Sequence, residues 1–194
     1  RPLIAIPFLV VYLAIRSPAS LRLSGAVKWM ALRSFMLVAM WISYYLALPH
    51  LALSVAAATY YTLPIFITLF SAVLIGNRIS RMGWTAVFMG FLGVLLILRP
   101  TADNFNLYAL LPLLSAMLYA LAMILTRTKC RAEHPIMLSL ALNCAFVIVG
   151  GIAAAVISTL SDEMRYGFLL ARWAVMTPSD WGMMAMLAAS ILIG

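Results

Sequence analysis

The feature that most constrains this chain is a pair of long apolar segments, residues 54–75 and 82–98. They are separated only by Gly76-Asn77-Arg78-Ile79-Ser80-Arg81. Each segment has about the 17–25 residues that a helix needs to cross a bilayer. The intervening segment, called the basic hinge below, is too short to form a domain and too charged to be buried. The pattern therefore predicts a helical hairpin in a membrane.

The composition also indicates a membrane protein. Charged residues make up 9% of the chain and hydrophobic residues 66%, with a mean hydropathy of +1.10. An ordinary soluble domain has about 25% charged residues. The net charge of +8 would suit nucleic acid, but the basic residues lie at the ends of apolar segments, which is typical of membrane topology. We therefore expect a lipid bilayer as the surroundings and no nucleic-acid partner.

Seven apolar segments are expected to be α-helical, because a helix satisfies its own backbone hydrogen bonds in lipid. They cover residues 3–15, 29–48, 51–75, 82–98, 107–126, 135–158 and 181–194. The first and last are expected to be clipped, since the chain starts at Arg1 and stops at Gly194 within apolar sequence. The predicted fold class is an all-α polytopic membrane protein with seven visible spans.

The basic residues predict an orientation for these spans. Nine lysine and arginine residues fall on one side and four on the other, so the richer side is expected to be cytoplasmic. The richer side contains Arg16, Arg22, Lys28, Arg33, Arg78, Arg81, Arg127, Lys129 and Arg131. We expect a multi-pass protein of the bacterial inner membrane whose arginine- and lysine-rich loops face the cytoplasm.

The stretch 54–100 resembles the drug/metabolite transporter superfamily, in its EamA-type branch. The resemblance is carried by residues 64–66, 74–80, 84 and 90–100. It implies ten helices in two inverted five-helix repeats. Residues 1–100 would then form the first repeat (helices 2–5, without the first helix), and 101–194 a truncated second repeat (helices 6–8). The family usually has Gly-Glu-Arg where this chain has Gly76-Asn77-Arg78, so a carboxylate is missing from the basic hinge.

The resemblance implies a secondary transporter that moves a small metabolite or drug-like solute, such as an amino acid, by alternating access. No cofactor is expected. A non-transporting membrane subunit stays open as an alternative, as does a homodimer. A membrane enzyme is a weaker alternative, because it needs His, Asp, Glu or Cys side chains within reach of one another. Here His50 and His134 fall on opposite predicted sides and no span contains Asp or Glu. No catalytic residue or metal ligand is predicted.

Candidate substrate contacts follow a small and polar stripe in the segment 51–75. Its members recur every three or four residues and share one helical face: Ser54, Ala57, Tyr61, Pro64, Thr68 and Ser71. The stripe is either a helix-packing seam or the wall of a wet cavity. Pro64 lacks the N–H that would reach the carbonyl of Tyr60, so a break is expected near mid-membrane. Discontinuous helices often mark transporter sites.

Three other helical faces carry polar and aromatic residues. They are Ser34, Trp41 and Tyr45 with Tyr44 nearby; Ser115, Tyr119, Ala122 and Thr126; and Ser139, Asn143, Phe146 and Gly150. Asn143 is expected to form an interhelical hydrogen bond. Arg33 is expected to reach the interface or, alternatively, to meet an anionic substrate group. The predicted substrate-binding residues are Trp41, Tyr45, Tyr61, Pro64, Thr68 and Tyr119.

Overall fold

A computed structural model of the chain describes residues 2–16, 25–76, 78–98, 107–159, 178–183 and 186. Every regular element within these ranges is helical. In chain order they are α1 (Pro2–Arg16), α2 (Val27–Ala47), α3 (Leu53–Tyr60), α4 (Leu63–Phe70), a π-helical turn (Ser71–Ile75), α5 (Arg81–Leu98), a 3₁₀ turn (Leu107–Ala109), α6 (Leu110–Thr128) and α7 (Pro135–Thr159). A further short helical stretch covers residues 178–183.

Within the described ranges, four helical segments are long and apolar enough to cross a membrane. They are Val27–Ala47, Leu53–Ile75, Leu107–Thr128 and Pro135–Thr159. The predicted all-α polytopic fold is thereby confirmed. Most of the seventh predicted span, 181–194, and Asn77 of the basic hinge lie outside the described residues.

The chain divides into two compact units. Unit 1 comprises Arg1–Val27 and Glu133–Gly194, and in it α1 packs against α7. Unit 2 comprises Lys28–Ala132, and in it α6 packs against α3 and α4, which also contact α5. These units are defined by spatial contact between helices, so they do not test the predicted division into two sequence repeats at residue 100. That division stays a prediction.

Within unit 2, α2 and α6 run antiparallel, because their contacts occur in opposite order along the two helices. The contacting pairs, from one end to the other, are Trp29–Lys129, Arg33–Thr126, Met40–Ser115 and His50–Tyr108. The pair therefore has a basic end, at the start of α2 and the end of α6, and an opposite end where His50 stacks on Tyr108 with ring centroids 3.7 Å apart.

The helix of segment 53–75 is interrupted where the sequence predicts a break. α3 ends at Tyr60, α4 begins at Leu63, and Pro64 lies in the first turn of α4. At the break, the N–H and the hydroxyl of Thr62 both donate to the carbonyl of Thr59, at 3.2 and 2.8 Å. The first turn of a helix tolerates proline because its N–H groups have no intrahelical partner.

Candidate substrate site

Six aromatic side chains from three parts of unit 2 form a continuous set of ring contacts, called the aromatic cluster below. They are Trp41, Tyr44 and Tyr45 of α2, Tyr60 and Tyr61 at the α3–α4 break, and Tyr119 of α6. Four of them, Trp41, Tyr45, Tyr61 and Tyr119, are predicted substrate contacts. The structure thus brings together four residues that the sequence places on three different segments.

Tyr60 connects the parts of the cluster. Its ring centroid lies 5.5 Å from that of Tyr44, 6.5 Å from Tyr61 and 6.4 Å from Tyr119. The contacts to Tyr44 and Tyr119 are edge-to-face, a favoured arrangement for aromatic rings. Tyr60 is not among the predicted substrate contacts, because it lies off the polar stripe. The neighbouring pair Tyr60-Tyr61 immediately before a break was the available signal.

The other end of the cluster is a stacked pair on α2. The rings of Trp41 and Tyr45 lie 5.5 Å apart at an interplanar angle of 22°. Spacing of four residues brings side chains of a helix onto one face, which explains the contact. Trp41 is 39% exposed, Tyr45 47% and Tyr61 76%, whereas Tyr44, Tyr60 and Tyr119 are half-buried. The cluster therefore has an inner part that holds it together and an outer part that a solute can touch.

Pro64 and Thr68 are predicted contacts that make no ring contact. The Thr68 hydroxyl donates to the Pro64 carbonyl of its own helix at 2.8 Å, so its oxygen keeps acceptor capacity for a ligand. Pro64 is exposed. Its contribution is the break itself, which separates Tyr60 and Tyr61 from the regular part of the helix.

The polar stripe of segment 51–75 is partly exposed, with Ala57, Thr68 and Ser71 half-buried. Ser54, Tyr61 and Pro64 are exposed, whereas the buried side chains of this segment are Ala56, Thr59 and Thr62. Small residues spaced by three at the packed face allow close approach to the neighbouring helices. Both interpretations of the stripe, a packing seam and a cavity wall, stay predictions.

The predicted face of α6 packs on α2 rather than lining an open surface. The buried Ser115 hydroxyl donates to the Met40 carbonyl at 3.0 Å. Arg33 Nε donates to the Thr126 hydroxyl at 2.6 Å, and that hydroxyl donates to the Ala122 carbonyl at 2.8 Å. The half-buried Arg33 is therefore engaged at the α2–α6 interface. Thr126 lies two turns beyond Tyr119, about 10 Å along the axis.

One expectation concerns α7, which belongs to unit 1. The predicted interhelical bond of Asn143 stays a prediction; in the structure the Asn143 amide donates to the Ser139 carbonyl of its own helix at 2.9 Å. A carbonyl one turn earlier is within reach of a short polar side chain, which is why the bond stays local. Among the described residues, no three His, Cys, Asp or Glu side chains are grouped to hold a metal ion.

The helices and the aromatic cluster define a multi-pass α-helical membrane protein with a partly open aromatic site. Residues 1–99 match the model of the EamA-like transporter family, and the chain belongs to that family. The resemblance inferred from residues 54–100 is thereby confirmed. No solved structure gives a significant match.

Three relatives illustrate what the chain is similar to. A riboflavin transporter of Rhizobium johnstonii is 31% identical over 123 residues, which is 60% of this chain and 41% of the relative. A riboflavin transporter of Brucella anthropi is 28% identical over 61% of this chain and 44% of the relative. A pseudopaline exporter of Pseudomonas aeruginosa is 30% identical over 67% of this chain and 46% of the relative. The match spans less than half of the length of each relative.

Proposed function

We propose that this protein is a secondary transporter that moves a small solute across the cytoplasmic membrane by alternating access. Family membership and the transporter and exporter names of the relatives support this proposal. The observation that carries it is the aromatic cluster, which joins α2, the α3–α4 break and α6 in one partly open site. Discontinuous helices are typical of the substrate sites of secondary transporters.

The chemistry of the cluster suggests the kind of solute. It offers ring faces and phenolic hydroxyls, and the four candidate spans among the described residues contain no Asp or Glu. Such a surface suits a small, partly apolar, neutral or zwitterionic solute, which includes an amino-acid-like one. Flat ring systems fit best, because they can stack on Trp41 and Tyr45 as these stack on each other. The riboflavin transporters among the relatives favour a ring-containing solute.

The membrane and the orientation are part of the proposal. We place the protein in the bacterial inner membrane, with the basic end of unit 2 in the cytoplasm. Lys28, Trp29 and Lys129 lie together at that end, which supports one common side for these loops. The proposed protein is not an enzyme, and it acts either as a monomer or as a homodimer. Light scattering of the purified protein distinguishes these two states.

The test is solute uptake into proteoliposomes that contain the purified protein. The panel contains riboflavin, amino acids and cationic drugs, each measured with and without a pH gradient, and protein-free liposomes are the control. Saturable flux of a ring-containing solute is the expected result. Flux that requires the gradient indicates proton coupling, and flux without it indicates a facilitator or exchanger. No flux across the panel would contradict the proposed transport of such solutes and favour the non-transporting subunit.

A further inference from the structure

The basic end of unit 2 contains a groove that is separate from the aromatic cluster. It has a volume of about 490 Å³ and lies between α2, the π-helical turn and α6. This volume falls within the roughly 300–1,000 Å³ of small-molecule sites. Leucine, isoleucine and methionine side chains form its walls, among them Leu32, Ile75 and Leu125. Two polar residues, Thr128 and Lys129, complete the lining where α6 ends.

Lys129 is held at the edge of this groove by an aromatic ring. Its ammonium nitrogen lies over the Trp29 ring, 5.4 Å from the ring centroid. The contact fixes the direction of a long side chain and leaves the ammonium its three hydrogen-bond donors. Tryptophan is also a residue that membrane proteins place at the level of lipid headgroups. The groove thus has apolar walls that end at a positioned cation.

The surroundings of Lys129 are strongly positive. Arg127, Arg131 and Lys28 are exposed near the same end of α2 and α6. Residues 28–133 contain eight lysine and arginine residues and two acidic residues, Asp103 and Glu133. An anion at the edge of the groove would therefore meet an excess of positive charge. Basic pockets between membrane helices on the cytoplasmic side are a known form of anionic lipid site.

We propose that this groove binds an anionic phospholipid, with an acyl chain along the apolar walls and the headgroup phosphate at Lys129. The two parts of the site select this occupant together. A soluble anion leaves the walls formed by Leu32, Ile75 and Leu125 uncovered, and a zwitterionic lipid gains less because the positive edge repels its headgroup cation. The site would tie this end of unit 2 to the anionic lipid of one leaflet.

The test counts bound lipid by native mass spectrometry of the purified protein in a neutral detergent. The probes are phosphatidylglycerol and phosphatidylcholine with identical acyl chains. Phosphatidylglycerol is expected to bind more tightly. Lys129→Gln is expected to weaken phosphatidylglycerol binding about fivefold, since one lysine near a lipid surface contributes about that factor, and to weaken phosphatidylcholine binding less. The matched control is Arg16→Gln, which removes an exposed charge at the end of α1 and should bind like the unaltered protein.

A second variant tests the apolar part of the groove. Leu32→Phe adds bulk to the wall and should weaken both lipids. It also keeps the test decisive if Lys129→Gln does not fold. Equal binding of the two lipids by the unaltered protein would overturn the proposal, as would equal losses in Lys129→Gln and Arg16→Gln. Displacement of the lipid by millimolar inorganic phosphate would instead assign the edge to a soluble anion. None of these outcomes depends on transport.

Discussion

Tyr60 and Tyr119 meet edge to face, with ring centroids 6.4 Å apart and an interplanar angle of 75°. One ring belongs to the last residue of α3 and the other to the middle of α6, so the contact links the helix break to a continuous helix. Through Tyr44, the same Tyr60 ring also contacts α2. Three helices, α2, α3 and α6, are thus joined at one level, and that level is the proposed solute site.

Replacing Trp41 by alanine should weaken solute uptake. The Trp41 ring stacks on Tyr45 and is 39% exposed, so it can contact a solute directly. A ring contact contributes about 0.5–1.5 kcal/mol, so a loss of up to about tenfold in apparent affinity is expected. Saturation uptake in proteoliposomes measures it. The control is Trp84→Ala, which removes an exposed tryptophan of α5 outside the cluster. Equal uptake by both variants would remove Trp41 from the site.

Stability and transport should depend on the ring of Tyr60 rather than on its hydroxyl. Tyr60→Leu removes three ring contacts and should lower both the melting temperature and the uptake rate. Tyr60→Phe keeps the ring and should retain most of both. Thermal unfolding followed by size-exclusion chromatography, together with uptake, gives the two readouts. If Tyr60→Phe is as impaired as Tyr60→Leu, the hydroxyl and not the ring network is what matters.

Pro64→Ala should increase stability and slow transport. Alanine supplies the N–H that Pro64 lacks, so the backbone can bond to the Tyr60 carbonyl and continue the helix through the break. The melting temperature and the uptake rate are measured on the same preparation. Pro135→Ala is the control, because Pro135 is the first residue of α7 and its missing N–H has no intrahelical role. Unchanged uptake in Pro64→Ala would show that transport does not need the break.

The Arg33–Thr126 contact should contribute measurably to stability. Thr126→Val removes the hydroxyl that accepts the Arg33 hydrogen bond, and a bond to a charged group contributes about 1.5 kcal/mol or more. Denaturant unfolding in detergent should therefore give a free energy of unfolding lower by about that amount. Thr128→Val is the matched control, since the Thr128 hydroxyl donates only within its own helix, to Ile124. Similar losses in the two variants would argue against the interhelical contact.

Gly90 should tolerate alanine less well than Gly93. A Cβ at Gly90 would lie 2.9 Å from Ile65 Cδ1, whereas a Cβ at Gly93 meets nothing within 4 Å. Both substitutions gain the same helix propensity, but only Gly90→Ala forces Ile65 of α4 to move. We expect Gly90→Ala to be less stable than Gly93→Ala by about 1 kcal/mol. Equal free energies of unfolding would mean that α4 and α5 adjust without strain at this point.

Rules that use only neighbouring residues in the sequence were sufficient to predict the helices and the position of the helix break. The apolar segments could only be helical in lipid, so helices around residues 29–48, 107–126 and 135–158 were predictable. Pro64 fixed the position of the break because it cannot donate a backbone hydrogen bond. By contrast, the helical face that would be buried was not predictable. The partly exposed stripe and the buried Ala56, Thr59 and Thr62 differ little in polarity, so periodicity could not separate them.

The sequence by itself determined that this chain is a polytopic helical membrane protein, which residues break its helices and where its basic residues lie along it. These properties depend on residues near one another in the chain. The tertiary structure alone decided that Tyr60 joins Tyr44 and Tyr119, and that the Ser115 hydroxyl donates to the Met40 carbonyl. Such contacts depend on how helices are packed side by side, and in lipid similar apolar faces can pack in several ways. The aromatic cluster is therefore a product of packing, assembled from segments about 20 and 60 residues apart.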